Sequence, residues 1–128
     1  KNELIENFVH KEKEIFTLNA DSSVNAYKDI IKKYKMKKFF VEKDGEIVGI
    51  AFHRDLLAAL LSSDKKNNLL SHYTKKALIF NGTEKLVNII LKMEDKKIVQ
   101  SIIIDSEKNP IGILSIKDIY LLLTNRNS

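Results

Sequence analysis

One pattern occurs twice in this chain, and the repeat limits the possible folds more than any other feature. In each copy an apolar strand, a turn and a second strand lead to a glycine, and then to an aspartate that opens an apolar helix. Gly49 is equivalent to Gly112 and Asp55 to Asp118, and both pairs lie 63 positions apart. A period of this length indicates repeated supersecondary units, so the fold is two copies of one unit.

Hydrophobic spacing and turn residues predict the order β-α-β-β-α in both halves. The Asp44-Gly45 pair predicts a hairpin turn, and Asp21-Ser22-Ser23 offers N-cap residues for the first helix. The chain is therefore expected to divide into four parts: an N-terminal helix or linker at 1–14, a first repeat at 15–62, a polar connector at 63–76, and a second repeat at 77–128.

Each half has roughly 55 residues, which is small for an independent hydrophobic core. The economical solution is an α/β (α+β) module in which the two repeats pack sheet to sheet about a pseudo-twofold axis. That packing creates two symmetry-related clefts between the repeats. The two halves are thus expected to form one integrated module.

The amino-acid composition limits the cellular compartment and the kinds of site that are expected, but it does not indicate one function. The chain has no cysteine, so disulfides and thiolate metal sites are excluded, which fits a cytoplasmic protein. No apolar run approaches the roughly 18 residues that span a bilayer. The net charge of +5 favours anionic partners, but lysine, asparagine and isoleucine are abundant throughout, so compositional bias explains the charge equally well.

The motif at the start of each last helix resembles that of paired cystathionine-β-synthase (CBS) domains, also called a Bateman module. The motif of that family is a glycine, two apolar residues, a serine or threonine, two variable residues and an aspartate. The segment from Gly112 to Asp118 matches it fully, and the segment from Gly49 to Asp55 departs from it only where Phe52 replaces the hydroxyl residue. The resemblance covers about residues 15–124.

The resemblance implies a regulatory module rather than an enzyme. Paired CBS domains typically sense AMP, ADP, ATP or S-adenosylmethionine and control an attached or partner enzyme, transporter or channel. They commonly dimerise, so a homodimer is expected. No cofactor is required, and the adenine nucleotide is the expected regulatory ligand.

The residue chemistry predicts a nucleotide site in the second repeat. Asp118 can accept both ribose hydroxyls, and Ser115 and the helix start suit a phosphate, with Lys117 as countercharge. The residues expected to wall an adenine slot lie on the two neighbouring strands: Ile79, Phe80, Gln100 and Ile102, within a wall that runs from Val99. The alternative is that Asp118 only caps its helix.

A second, weaker cleft is predicted at Phe52, Arg54 and Asp55. Phe52 removes a hydroxyl and adds bulk, so this cleft is either closed or holds a different ligand, and the ring offers a face on which a base can stack. Arg54 is a candidate phosphate contact or a solvated surface residue. Asp55 is favoured as a helix-start residue without a ligand.

Three other functions were weighed against nucleotide sensing. A ligand-free structural or dimerisation module agrees with the loss of the hydroxyl at Phe52. Nucleic-acid binding through the basic run Lys32–Lys38 is less favoured, because such a run is typical of a solvated helix end. Catalysis ranks last, since no nucleophile has a base beside it, and the three histidines lack metal-ligand spacing.

Overall fold

The computed structural model describes residues 4–9, 15–62 and 68–126 of the chain. They divide into two compact units, whose main boundary in the sequence lies between Lys76 and Ala77. The first unit holds residues 15–62 and 68–76, and the second holds 77–126 together with 4–9. Each unit contains one copy of the repeat. The predicted α+β class with two β-α-β-β-α repeats is confirmed.

The first unit is a three-stranded sheet with two helices. Its strands are β1 (Thr17–Asn19), β2 (Lys38–Lys43) and β3 (Glu46–Phe52), and its helices are α1 (Lys28–Lys33) and α2 (His53–Leu61). The central strand β2 pairs parallel with β1 and antiparallel with β3. The β2–β3 hairpin turns at Asp44 and Gly45, whose φ angles of 53° and 82° are the positive values that this tight turn requires.

The second unit repeats that arrangement. Its strands are β4 (Leu78–Asn81), β5 (Gln100–Ile104) and β6 (Pro110–Ser115), and its helices are α3 (Leu86–Lys96) and α4 (Ile116–Arg126). The central strand β5 pairs parallel with β4 and antiparallel with β6. A register shift interrupts the antiparallel pair after Ile103, as it does after Val41 in the first unit. The two sheets therefore share their bulge as well as their strand order.

Each unit buries the helix-facing side of its own sheet. In the first unit Phe39 and Val41 on β2 lie in one cluster with Leu56 of α2, and all three are fully buried. In the second unit Ile103 on β5 lies in a cluster with Ile119 of α4, and both are fully buried. Because strand side chains alternate between faces, residues one position away point to the opposite side of the sheet.

Each unit is completed by the segment that precedes the other repeat in the sequence. In the first unit a 3-10 helix, Leu70–Tyr73, leads to Lys75, whose backbone exchanges two hydrogen bonds with Ile50 on β3, of 2.7 and 3.0 Å. In the second unit a 3-10 helix, Ile5–Phe8, begins with Ile5, whose backbone N–H donates to the Glu84 carbonyl at 2.8 Å. The Ile5 side chain is fully buried in the core of the second unit.

Of the N-terminal helix or linker expected at 1–14, the described residues 4–9 contain the short 3-10 helix Ile5–Phe8, and residues 1–3 and 10–14 lie outside the described residues. The N-cap prediction for the first helix was wrong. Ser23 occupies an N-cap position, but its side chain makes no capping hydrogen bond, and the segment that follows, Val24–Tyr27, is a 3-10 helix that precedes α1. The Val24 N–H donates to the Asn68 carbonyl at 2.8 Å, so this segment is held by a distant part of the unit.

Candidate functional site

The junction of β6 and α4 carries the fully matched motif. Ser115 ends β6, and its hydroxyl oxygen accepts a hydrogen bond from the Asp118 N–H at 3.1 Å. The Ser115 N–H in turn donates to Asp118 Oδ2 at 2.8 Å. This reciprocal pair is a capping box, so the capping role weighed for Asp118 is present. The box uses one carboxylate oxygen and leaves the hydroxyl proton of Ser115 out of the pair.

Four of the residues predicted for the nucleotide site share one face of the second sheet. Ile79 pairs in register with Ile102, and Gln100 pairs with Ser115, so all four lie on the face opposite the helices. Ile102 and Gln100 are buried, whereas Ile79 is 44% exposed. Phe80 does not join them, because the alternation of β4 turns its ring into the hydrophobic core, where it is buried.

The remaining predicted residues of this site lie at its edges. Val99 is exposed, and its carbonyl accepts the N–H of Ile116, the first residue of α4, at 2.9 Å. Lys117 is exposed in the first turn of α4, next to the capping box. Val99, Ser115 and Asp118 are thus adjacent in the structure, and whether they bind a ligand stays a prediction.

The junction of β3 and α2 has the same backbone frame with different side chains. Phe52 is the register partner of Lys38, as Ser115 is of Gln100. The His53 N–H donates to the Lys37 carbonyl at 2.8 Å, which reproduces the bond between Ile116 and Val99. Phe52 stands at the N-cap position of α2 and makes no side-chain capping bond. The first repeat therefore lacks the hydroxyl cap of the second.

Two cationic side chains approach the Phe52 ring. The Arg54 guanidinium carbon lies 5.2 Å from the ring centroid, and Lys38 Nζ lies 5.9 Å from it, both within cation–π range. Arg54 Nε is also 3.8 Å from Asp55 Oδ1. The Arg54 side chain is 82% exposed, so this ion pair is screened by water and adds little stability.

A cavity of about 430 Å³ opens beside this ring, within the volume range of small-molecule sites. We call it the first-repeat pocket. Its wall combines residues of the 35–38 segment with residues from the start of α2: Lys35, Lys37, Lys38, Phe52, His53 and Arg54, with Tyr34 and Met36 beside them. A neighbouring cavity of about 440 Å³ shares Tyr34 and Lys35 and is lined further by Phe16, Asp29, Ile30 and Lys33.

The basic run therefore belongs to two different elements. Only Lys32 and Lys33 lie in the last turn of α1, where they complement the helix dipole as the helix-end interpretation requires. Lys35 and Lys37 lie in the connector to β2, and Lys38 opens that strand. The hairpin register, which sets Lys38 opposite Phe52, is the signal that would have joined this run to the weaker predicted cleft.

Hydrogen bonds hold the wall of the first-repeat pocket in place. His53 Nε2 donates to the Ile31 carbonyl at 2.7 Å, because a carbonyl oxygen can only accept. The Tyr34 hydroxyl donates to the Lys38 carbonyl at 2.8 Å, and its ring stacks on Phe39 at a centroid distance of 4.0 Å. The end of α1, the 35–38 segment and the start of α2 are thus fastened to one another around the cavity.

Neither a metal-binding cluster nor a membrane-spanning helix occurs in the described part of the chain. Its acidic residues and histidines do not gather anywhere in a group of three or more that could hold a metal ion. Within 4–9, 15–62 and 68–126, no helix has both the length and the apolar character needed to cross a membrane.

Similarity to known proteins agrees with the repeat. The family model of the CBS domain matches residues 70–125, a range that includes the capping box and omits the first repeat. No curated protein sequence matches the chain.

Several solved structures have the same fold. The CBS domain of a putative transporter from Clostridium difficile 630 has a TM-score of 0.73 at 15% identity, over 98% of this chain and 96% of that one. A CBS-domain pair with bound AMP from Klebsiella pneumoniae has a TM-score of 0.69 at 9% identity, over 94% and 98%. The CBS domain of a bacterial CNNM/CorC family Mg²⁺ transporter in complex with ATP has a TM-score of 0.69 at 14% identity, over 94% and 87%.

The family match and the shared fold lead to the same conclusion. Residues 70–125 are similar to the CBS domain, and the chain has the fold of a CBS-domain pair over nearly its whole length.

Proposed function

We propose that this chain is a regulatory module that binds an adenosine-containing nucleotide and thereby controls an attached or partner protein in the cytoplasm. The observation that carries the proposal is the first-repeat pocket, in which four cationic side chains and an aromatic ring surround a cavity of ligand size. A phosphate needs cationic hydrogen-bond donors, and a purine needs a flat apolar surface. Both chemistries occur there within one unit.

The geometry of the pocket fits the two ends of a nucleotide. Phe52 offers a ring on which a purine can stack, and aromatic stacking accepts any base because every base has a π face. Arg54 and Lys38 lie within 6 Å of the ring centroid, close enough to meet a phosphate of the same ligand. A guanidinium binds phosphate oxygens in a bidentate manner, so Arg54 is the expected principal phosphate contact.

The capping box at Ser115 and Asp118 is the second candidate position. Its free carboxylate oxygen and the Ser115 proton would meet ribose and phosphate, and Ile79, Gln100, Ile102 and Lys117 lie around it. Phe80 drops out of this proposal because its ring is part of the core. The clefts expected between the repeats stay a prediction.

Two of the similar structures support the choice of ligand, because one has bound AMP and the other is in complex with ATP. Transporter domains are also among the similar structures, which supports an attached or partner transporter as the controlled protein. Control requires that the nucleotide bind two states of the module with different affinity. The expected homodimer stays a prediction, which light scattering would test.

Calorimetric titration with AMP, ADP, ATP and S-adenosylmethionine tests the proposal. We expect binding of at least one nucleotide with micromolar affinity, weakened about tenfold by Arg54→Ala, since a charge-assisted contact contributes about 1.5 kcal/mol. Lys32→Ala is the matched control, because it removes one positive charge from the same basic run without touching either cavity.

Thermal unfolding gives an independent readout, because a ligand that binds only the folded state raises the melting temperature by mass action. If none of the four compounds changes the melting temperature and none gives binding heat in the titrations, nucleotide sensing is refuted and the ligand-free dimerisation module is favoured. Loss of binding in Asp118→Ala but not in Arg54→Ala would move the site to the second repeat.

A further inference from the structure

The first-repeat pocket has a strongly one-sided charge. Lys35, Lys37, Lys38 and Arg54 line it, and no carboxylate is among the described residues that do so. The nearest acid in the sequence, Asp55, is paired with Arg54 at 3.8 Å and does not line the cavity. A ligand in this pocket therefore meets several positive charges at once.

Two of the four equivalent positions of the second repeat lack this charge. Gln100 stands where the first repeat has Lys38, because each is the register partner of the residue that ends the last strand of its sheet. Val99 stands where the first repeat has Lys37, since each carbonyl accepts the N–H of the first residue of the following helix. The other two positions keep a cation, because Lys97 matches Lys35 and Lys117 matches Arg54. The first repeat therefore carries two more cations at these positions than the second.

We infer, on the basis of the proposed function, that the first-repeat pocket selects its nucleotide by the number of phosphoryl groups. Each added phosphoryl group brings further negative charge to the same four cations. A nucleoside triphosphate therefore binds more tightly than a diphosphate, and a diphosphate more tightly than a monophosphate. S-Adenosylmethionine, whose sulfonium is positively charged, is rejected.

The exposure of the cations limits the size of the effect. Lys35, Lys37 and Arg54 are exposed, so water and salt screen their attraction for a phosphate. We expect affinity to rise about three- to fivefold with each added phosphoryl group, the range of partly exposed ion pairs. The steps shrink when the salt concentration is raised, because the Debye length falls to about 8 Å at 0.15 M.

The test is a set of calorimetric titrations with AMP, ADP, ATP and S-adenosylmethionine at low salt. EDTA is present in all of them, because Mg²⁺ binds the phosphates and masks their charge. Lys37→Ala is the informative variant, since its backbone hydrogen bond to His53 is kept while one lysine is removed. It should reduce ATP affinity about threefold or more and AMP affinity by a smaller factor, because AMP brings less negative charge to the pocket.

Lys32 lies outside the pocket, so the Lys32→Ala variant should show the same increase in affinity from AMP to ADP to ATP as the unmodified protein. Circular dichroism confirms that each variant is folded, and tripolyphosphate should compete with ATP more strongly than pyrophosphate does. Equal affinities for AMP and ATP would overturn the phosphate selection and leave nucleotide binding standing. No binding of any of the four compounds would overturn the proposed function and this inference together.

Discussion

The two motif glycines leave no room for a side chain, and replacing them tests what completes each sheet. A Cβ built on Gly112 would lie 2.3 Å from Val9 Cγ1, whereas carbon atoms pack best at about 3.5–4.0 Å. Gly112→Ala therefore forces Val9 to move. Val9 is a half-buried side chain, so we expect it to yield, at about 1–2 kcal/mol of the free energy of unfolding.

Gly49→Ala should be more harmful, because its neighbour is backbone. The added Cβ would lie 2.3 Å from the Lys75 carbonyl oxygen and 2.9 Å from Thr74 Cγ2. That carbonyl accepts from the Ile50 N–H at 3.0 Å, and the Lys75 N–H donates back to Ile50 at 2.7 Å. Separating Lys75 from β3 loses both bonds, at about 1 kcal/mol each, so we expect a total of about 2–4 kcal/mol.

Urea denaturation followed by circular dichroism measures both losses, and hydrogen exchange assigns each to its unit, since two units can open separately. The decisive experiment is a double-mutant cycle. In a Val9→Ala background, Gly112→Ala should cost less than about 0.5 kcal/mol, which is a coupling of about 1 kcal/mol or more. Thr74→Ala should not rescue Gly49→Ala. Additive effects at Gly112 and Val9 would refute the reasoning, because the two groups would then not be in contact.

Three further predictions concern the second unit. Ser115→Ala removes the acceptor of the Asp118 N–H and should lower the free energy of unfolding by about 1 kcal/mol, measured by urea denaturation. Ile5→Ala should lower it by about 2–5 kcal/mol and speed hydrogen exchange across β4–β6, because the side chain is fully buried in that core. The hydrogen bond to Glu94 raises the pKa of Tyr120 above its ordinary value of about 10, so the midpoint of the Tyr120 absorbance titration should fall in Glu94→Gln. This hydrogen bond contributes to the free energy of unfolding in full at pH values below the ordinary pKa of tyrosine, and the contribution is lost as the pH rises through the raised pKa. The free energy of unfolding measured across this pH range should therefore fall in the unmodified protein, and this fall should be absent in Glu94→Gln.

The sequence was sufficient to predict the fold because the strand–turn–strand pattern and the glycine–aspartate motif are local and each occurs twice. The apolar helix expected at the motif aspartate Asp55 is α2, from His53 to Leu61. The Asp44-Gly45 turn has the positive φ angles that its residues favour. The sequence did not predict the place of Ile5, because apolar spacing cannot distinguish a helix from a short segment that docks elsewhere. The hydrogen bond of Ile5 to Glu84 depends on a partner far away in the sequence.

The candidate site was predictable only where one motif contained it. The pairing of Ser115 with Asp118 follows from a three-residue spacing, so capping was foreseen. The first-repeat pocket needs the register of β2 against β3, which sets Lys38 against Phe52. The hydrophobic periodicity of the sequence does not determine that register, because the register depends on the position of the hairpin turn. Phe80 was misassigned for a related reason, since only the strand bounds decide which face of β4 it occupies.

The exchange of flanking segments means that neither unit has the same bounds as the repeat it contains. A fragment ending in the polar stretch after Leu61 loses the backbone pairing of Lys75 with Ile50, which covers the outer edge of β3. A fragment beginning at Ala77 loses Ile5, whose place in the core would be left as a hollow. An excised first half should therefore extend to Lys76, and an excised second half needs residues 4–9 supplied as a separate peptide or joined through a new linker.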